Sequence, residues 1–191
     1  ACAPYRRQFC VIEIKNILIN KNTENTHDLS GNVLVTAKYE GDIIVSNHPD
    51  KDIKGNKSSI CTSLARSFAD IGDIVRGRDM FKRNNHDNVE KGLKIVFQKI
   101  NNGLKKIGIN AYNDGSGNYY KLREAWWTAN RNQVWRALTC KAPQGANYFR
   151  NISGDTKVFT SAGKCRHNDN SVPTNLDYVP QYLRWFEEWA E

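Results

Sequence analysis

Residues 119–138 read YYKLREAWWTANRNQVWRAL, and this stretch decides the fold. At about 100° per residue, its apolar side chains form two stripes along one helix. One stripe comprises Tyr119, Leu122, Trp126, Ala129 and Ala137, and the other comprises Tyr120, Trp127, Val134 and Leu138. A helix that is apolar on two sides packs on two sides, so we expect this helix at the centre of a helical bundle.

A second helix is predicted just before the central one, and it is apolar on one side only. Its inner stripe comprises Val89, Leu93, Val96, Phe97, Ile100, Leu104 and Ile107. The other half of its circumference carries lysines, namely Lys91, Lys94, Lys99, Lys105 and Lys106. The sequence NDGSGN at residues 113–118 then ends the pattern as a turn-rich loop.

Three further helices are predicted, and the fold class is mostly α. The first is a short helix from Leu29 to Tyr39 with Gly41 near its C-cap. The second begins after Ser58 or Ser59, repeats apolar residues at three- and four-residue steps, and stops at Gly77. The third begins near Pro180, with four side chains expected to face inward: Tyr182, Leu183, Phe186 and Trp189. Residues 141–176 are expected to be mostly loop, since no alternating strand pattern of useful length is present.

The charge of the chain is concentrated in one segment. The 191 residues carry a formal charge of +8, and residues 76–106 contain nine basic side chains against three acidic ones. Concentrated positive charge attracts polyanions, although a lysine-rich helix face is also an ordinary solvated surface. Nucleic acid is the weakest fit because no nucleic-acid-binding signature accompanies the charge. No run of apolar residues approaches the ~20 that a membrane span needs.

The five cysteines, Cys2, Cys10, Cys61, Cys140 and Cys165, are widely and irregularly spaced. Zinc sites use close ligand pairs, and none is present here. The spacing favours disulfides in an extracellular chain over buried thiols in a cytosolic one. An odd number leaves one cysteine without a partner. The chain also begins without Met and stops inside a predicted helix, so we expect it to be part of a longer protein.

No catalytic constellation is evident in the sequence. The four histidines, His27, His48, His86 and His167, lie in polar, loop-like stretches without metalloprotease spacing. No phosphate-binding glycine loop is present, and no cofactor or metal is expected. One enzymatic alternative stays open, a secreted basic ribonuclease that would use His48 or His86.

Several strings together resemble the Duffy-binding-like alpha domain of Plasmodium falciparum erythrocyte membrane protein one. They are CAPYRR at 2–7, AKYEG at 37–41, LARSFADIGDIVRG at 64–77, YKLRE at 120–124, WWTANR at 126–131 and PTNLDYVPQYLRW at 173–185. The resemblance spans nearly the whole chain. With only Cys140 and Cys165 between the DIG and PQY blocks, and with MFK at 80–82, the chain resembles the group A, two-cysteine type.

The resemblance implies a fold, a location and a function. The implied fold has an irregular, disulfide-tied subdomain at residues 1–57 and a helical-bundle subdomain at 58–191, truncated before a third subdomain. The implied function is non-enzymatic adhesion by a variant surface antigen. The implied location is the extracellular region of a membrane protein at the surface of the infected erythrocyte. The implied partners are host erythrocyte or endothelial receptors, namely heparan-sulfate-like glycans, blood-group sugars or complement receptor. Antibodies and the rest of the parent protein complete the expected partners.

The resemblance does not assign glycan-binding residues, so these are inferred from charge alone. We expect sulfate groups to contact Lys82, Arg83, Lys91, Lys94, Lys105 and Lys106, with Lys99 as a lesser candidate. Such ion pairs weaken with salt. An alternative is that the same module recognises a protein receptor or a neutral sugar through aromatic and polar contacts, in which case its binding would be insensitive to salt.

Overall fold

The computed structural model describes residues 23–49, 59–80, 88–152, 155–158, 163–167, 169 and 171–190. Its helices are α1 (Thr26–Asn47), α2 (Ile60–Arg76), α3 (Asn88–Lys106), α4 (Tyr120–Leu138) and α5 (Gln181–Ala190), with a 3-10 turn at Leu176–Tyr178. Two short strands, β1 (Phe149–Ile152) and β2 (Asp155–Val158), form an antiparallel hairpin. The mostly α fold class is therefore confirmed. The hairpin was not predicted, because four-residue strands are too short to show an alternating pattern.

Helix α4 lies at the centre of the bundle, as its two apolar stripes predict. It contacts α1, α2 and α3. Trp127 and Trp135 are fully buried, and both rings pack against Phe68 of α2, with centroids 5.1 Å and 5.2 Å away. Tyr120 and Ala129, by contrast, are exposed members of the predicted stripes.

Helix α1 is longer than the sequence predicts. The side chain of Asn25 accepts hydrogen bonds from the backbone N–H groups of His27 and Asp28, and the Asp28 carboxylate completes a capping box. Gly41 was predicted near the C-cap, but it lies inside the helix, which continues to Asn47. A Cβ at Gly41 would lie 1.9 Å from the backbone oxygen of Leu138, so the glycine permits close contact between α1 and α4.

Packing places α1 within the bundle. Leu29, Val33 and Ala37 are buried members of the common core, and the Ser30 hydroxyl contacts the Asn130 side chain of α4 at 3.0 Å. Residues 26–47 belong to the predicted irregular, disulfide-tied subdomain at 1–57, and that division of the chain stays a prediction.

Helix α2 follows the sequence prediction closely. Its apolar residues Ile60, Leu64, Phe68, Ile71 and Val75 are buried. Gly77 ends the helix with φ of 71°, and its N–H donates to the carbonyl oxygens of Asp73 and Ile74. The predicted start and stop of this helix are confirmed.

Helix α5 begins where predicted but presents a different side to the bundle. Tyr182, Leu183 and Phe186 were expected to face inward, yet they are 54%, 48% and 72% exposed, and the side chain of Trp189 lies outside the described residues. Gln181 and Arg184 are buried instead. Ion pairs from Arg184 set this orientation.

The Arg184 guanidinium joins α5 to α2. Its Nη2 lies 2.7 Å from the Asp70 carboxylate and 2.6 Å from that of Asp73. Burial raises the pKa of Asp73, and this effect outweighs the opposing influence of Arg184 and Arg76. Despite its own burial, Arg184 has a raised pKa because both aspartates stabilise its charge. Two carboxylates of α2 thus hold Arg184 in place.

Asp177, in the 3-10 turn, accepts hydrogen bonds from side chains of α4. Its carboxylate accepts a hydrogen bond of 2.9 Å from the Trp127 indole N–H. Arg131 donates to both carboxylate oxygens, at 3.0 Å and 2.8 Å, and the backbone oxygen of Asp177 accepts from Arg76. Asp177 is only 1% exposed. Its partners stabilise a negative charge whose burial without them would cost a large amount of free energy.

A disulfide joins Cys61 of α2 to Cys165, with the Cα atoms 5.4 Å apart and both side chains buried. Cys140 was included in the predicted disulfide set, but it is an exposed free thiol. Cys140 lies in the turn after α4, where its side chain is exposed, whereas both partners of the disulfide are buried. Cys2 and Cys10 lie outside the described residues.

The amino terminus of α4 is capped from a distance by Asp114. Tyr119 has a left-handed φ of 59° and provides no side-chain cap. The Asp114 carboxylate instead accepts hydrogen bonds from the backbone N–H groups of Ser116 and Lys121, at 3.0 Å and 3.1 Å. Slight burial opposes ionisation, but hydrogen bonds from Ser116, Lys121 and Tyr120 hold the pKa of Asp114 below its usual value.

We predict that Asp114→Ala lowers the free energy of unfolding by about 1 kcal/mol near neutral pH, the usual value of a helix cap. The folded-state pKa lies below the unfolded-state value, so this stabilisation is present above the unfolded pKa. It is lost as the pH falls through the folded pKa. Urea unfolding across this acidic range should therefore show the two proteins converging. Asn113→Ala, an exposed neighbour, is the control, and a difference independent of pH would contradict the assignment.

Candidate functional site

Helix α3 is held by one apolar face and one buried ion pair. Val89, Leu93 and Phe97 are buried, and the Phe97 ring meets the edge of Trp126 with centroids 6.5 Å apart. Arg123 of α4, which is fully buried, lies 2.8 Å from the Glu90 carboxylate. These contacts fix which side of α3 faces solvent.

The opposite side of α3 carries the lysines that the sequence predicts there. Lys91, Lys105 and Lys106 are exposed, and Lys94 is half-buried. We call these four residues the α3 basic face. Lys91 and Lys105 are 14 residues apart, which corresponds to about 21 Å along a helix. Glu90, the acidic residue of this helix, pairs with Arg123.

The other predicted glycan-binding residues have different fates. Lys99 lies 2.7 Å from the Glu24 carboxylate. Lys82 and Arg83 lie outside the described residues. Two further cations of the basic segment make contacts within the protein. Arg76 is 1% exposed, and Arg78 pairs with Glu124 at 2.8 Å.

The connection from α3 to α4 exposes apolar side chains from an ordered backbone. Gly108, with φ of 83°, ends α3, and the N–H groups of Gly108 and Ile109 donate to Lys105 and Leu104 in the Schellman pattern. Ile107 was predicted to complete the inner stripe of α3, but it lies beyond the helix and is 71% exposed. Ile109 and Tyr112 are 40% and 36% exposed. The sequence pattern does not reveal this apolar surface, because Ile107 continues the apolar stripe although the helix ends at Lys106.

A second cationic group lies at the carboxyl end of α4. Arg166 donates to the backbone oxygen of Arg136, and Lys164 donates to the backbone oxygen of Cys140, just after the helix. No sequence signal marks this group, because the loop that carries Lys164 and Arg166 is brought to α4 by tertiary contacts. We call these three residues the α4 basic cluster.

The structure gives no support to the ribonuclease alternative. Nε2 of His48 lies 3.2 Å and 3.4 Å from the hydroxyls of Ser63 and Ser59, so the imidazole joins the end of α1 to the start of α2. His86 lies outside the described residues. Within the described ranges, no group of three His, Cys, Asp or Glu side chains is placed to hold a metal ion. None of the described helices has the length and apolar character of a membrane span.

Comparison with known proteins gives consistent matches. Residues 1–184 match the family model described as the Duffy binding domain. The Duffy receptor beta form of Plasmodium knowlesi is 25% identical over 198 residues, covering 99% of this chain and 14% of the receptor. The chain thus spans about a seventh of the curated relatives that it matches.

Two solved structures show the same fold. The crystal structure of the NTS-DBL1(alpha-1) domain of P. falciparum membrane protein 1, PfEMP1, from the varO strain is 60% identical, with a TM-score of 0.86. The match covers all of this chain and 43% of that one. A DBLβ domain of PfEMP1 bound to human ICAM-1 is 31% identical, with a TM-score of 0.66, over 86% of this chain and 32% of that one.

Proposed function

Because the chain belongs to the Duffy binding domain family, we propose that it is an extracellular adhesion domain of a variant surface antigen on infected erythrocytes. The similarity to PfEMP1 domains over the whole chain supports this assignment. A related DBLβ domain is bound to human ICAM-1, which supports receptor binding by this chain. The family is one of adhesion domains and not a class of enzymes. Display outside the cell would also expose the domain to host antibodies.

The α3 basic face supports a sulfated glycan of the heparan sulfate type as the ligand. Its lysines follow one side of a rigid helix over about 21 Å, and neither Lys94, Lys105 nor Lys106 has a carboxylate partner among the described residues. A linear polyanion can contact several such charges at once, and the weak individual ion pairs then add. This row of cations is the observation that carries the proposal. Blood-group sugars and complement receptor are the other receptors that the same domain would bind.

The test is the salt concentration at which the protein elutes from immobilised heparin. We predict that the variant Lys94→Ala/Lys105→Ala elutes well before the parent. We also expect the slope of log affinity against log salt to fall by about two, roughly one for each charge removed. The matched control is Lys38→Ala/Lys121→Ala, which removes two exposed lysines elsewhere. Unchanged elution of the Lys94/Lys105 variant, or an equal loss in the control, would contradict the glycan proposal.

A protein receptor is the second candidate ligand, favoured by the exposed apolar side chains of the α3–α4 connection. Exposed isoleucine and tyrosine on an ordered backbone are typical of a protein contact surface. Binding to human endothelial cells that persists after heparinase treatment and in high salt would favour this candidate. The variant Ile107→Ser/Tyr112→Ala should then lose binding while the Lys94/Lys105 variant keeps it.

A further inference from the structure

The α3–α4 connection, residues 107–119, projects from one end of the bundle. Residues 105–113 are all exposed, from the last turn of α3 onwards. A Cβ added at Gly108, Gly115 or Gly117 would meet no atom within 4 Å, so open space surrounds the backbone at these three points. The connection therefore protrudes from the bundle and does not line a groove.

The side chains exposed along this segment are apolar or positively charged. Four apolar side chains are between 36% and 71% exposed, namely Ile107, Ile109, Tyr112 and Tyr120. Exposed lysines stand before and after the connection, namely Lys105, Lys106 and Lys121. We call these seven residues the lysine-bordered tip.

Residues 105–121 contain a single carboxylate, that of Asp114. It accepts hydrogen bonds from the backbone N–H groups of Ser116 and Lys121, at 3.0 Å and 3.1 Å, and so it is engaged within the connection. The segment therefore attracts anions with three lysines and opposes them with one carboxylate whose oxygens already have donors.

The backbone amides beside the two exposed isoleucines have partners inside the protein. The N–H groups of Ile107 and Ile109 donate to the carbonyl oxygen of Leu104 at 3.2 Å and 2.9 Å, and that of Gly108 donates to Lys105 at 3.0 Å. An amide that leaves water without a partner costs free energy. Because these amides are already hydrogen-bonded, Ile107 and Ile109 can enter an apolar medium without that cost.

We propose that the lysine-bordered tip contacts the phospholipid surface of the host-cell membrane. The isoleucines enter the boundary between headgroups and acyl chains, the tyrosines lie at the level of the headgroups, and the lysines pair with phosphates. A fluid bilayer accepts a protruding tip of any outline, whereas a protein partner needs a recess of matching shape. The choice of the host membrane rests on the proposed function, whereas affinity for phospholipid rests on the tip itself.

Flotation with phospholipid vesicles tests this contact in the absence of glycan and receptor. The whole chain is mixed with vesicles of phosphatidylcholine, either pure or containing about one-fifth phosphatidylserine. We expect Ile107→Ser/Ile109→Ser to lower the partition coefficient at least about tenfold on both kinds of vesicle, because two apolar side chains no longer leave water. Lys105→Gln/Lys106→Gln should lower it about thirtyfold, and only where phosphatidylserine is present.

The matched control is Phe186→Ser on α5. Phe186 is 72% exposed, as Ile107 is 71% exposed, but Glu187 and Glu188 follow it in sequence. Its replacement should leave flotation unchanged, and equal melting temperatures would show that all the variants fold. An equal loss in the Phe186 variant, unchanged flotation of the isoleucine variant, or no flotation of the parent protein would overturn the proposal.

Methyl NMR locates the contact on the molecule. Isoleucine methyl signals are recorded with phosphatidylcholine bicelles that contain a lipid spin-labelled in its acyl chain. We expect broadening at Ile107 and Ile109 but not at Ile95, which is 54% exposed on the outer side of α3. Broadening at Ile95 alone would place the contact elsewhere and overturn the proposal.

Retention on heparin separates this proposal from the proposed function. Ile107→Ser/Ile109→Ser should elute from heparin with the parent, because no charge has been removed. Retention on heparin without flotation would overturn the lipid contact and leave the glycan proposal standing. Loss of binding to human endothelial cells by the isoleucine variant, with no vesicle binding by the parent, would assign the tip to a protein partner and overturn the lipid contact.

Discussion

Gly41→Ala should destabilise the protein by at least about 3 kcal/mol, because the added methyl group has no space. Its Cβ would lie 1.9 Å from the backbone oxygen of Leu138 and 2.8 Å from the carbonyl carbon. A flexible side chain could move aside, but these atoms belong to the backbone at the end of α4. The two helices must therefore separate, which costs more than the usual 1–3 kcal/mol or so of overpacking. Chemical denaturation of the purified variant measures the loss.

The same helix provides the matched control. Gly31 is exposed, and a Cβ there meets no atom within 4 Å. Gly31→Ala should raise the free energy of unfolding by about 0.5–1 kcal/mol, since alanine favours a helix interior over glycine by roughly that amount. Opposite signs at the two positions would show that contact with α4, and not helix propensity, determines the requirement for glycine at 41. A mild effect at Gly41 would show that α1 does not approach α4 so closely.

Removal of the Cys61–Cys165 disulfide should also cost several kcal/mol. The two cysteines are 104 residues apart in sequence, and closing a loop of that length restricts the unfolded chain by about 4–5 kcal/mol in the chain-entropy model. We expect Cys61→Ala/Cys165→Ala to lose roughly 3–5 kcal/mol, a large share of the about 5–15 kcal/mol that stabilises a typical domain. Thermal and urea unfolding of the double variant test this.

Cys140→Ser is the control for the disulfide experiment. The Cys140 thiol is exposed and free, so its replacement should leave the free energy of unfolding within about 0.5 kcal/mol of the parent. Reduction of the parent should produce the same loss as the double alanine variant. If Cys140→Ser proved as destabilising as Cys61→Ala/Cys165→Ala, the assignment of the stabilising bond would be wrong.

Periodicity predicted the features of this fold that depend on one helix at a time. Two stripes of aromatic and aliphatic residues place α4 centrally, and the lysines of α3 fall on its outer side for the same reason. Both results need only the 3.6-residue repeat and the burial of apolar side chains. The basic face of the candidate site was therefore accessible from sequence, although the pairing of Lys99 with Glu24 was not.

Features that depend on contacts between distant segments were not accessible in this way. Arg184 determines which side of α5 faces the bundle, because it pairs with Asp70 and Asp73, which are 114 and 111 residues away in sequence. Gly41 resembles a helix C-cap in sequence, and only the position of Leu138 shows why glycine is required. The α4 basic cluster escaped prediction for the same reason, since Arg166 reaches α4 through a loop that the disulfide holds.

The disulfide also bears on how the domain would carry mechanical load. Cys61 and Cys165 are 104 positions apart in sequence, a stretch of chain that fully extended would span about 350 Å. Tension applied to the chain before Cys61 and after Cys165 passes through the covalent bond and bypasses everything between them. Helices α3 and α4, which carry the α3 basic face and Arg136, lie inside this shielded loop. That segment of the chain therefore cannot be extended by the tension as long as the disulfide is intact.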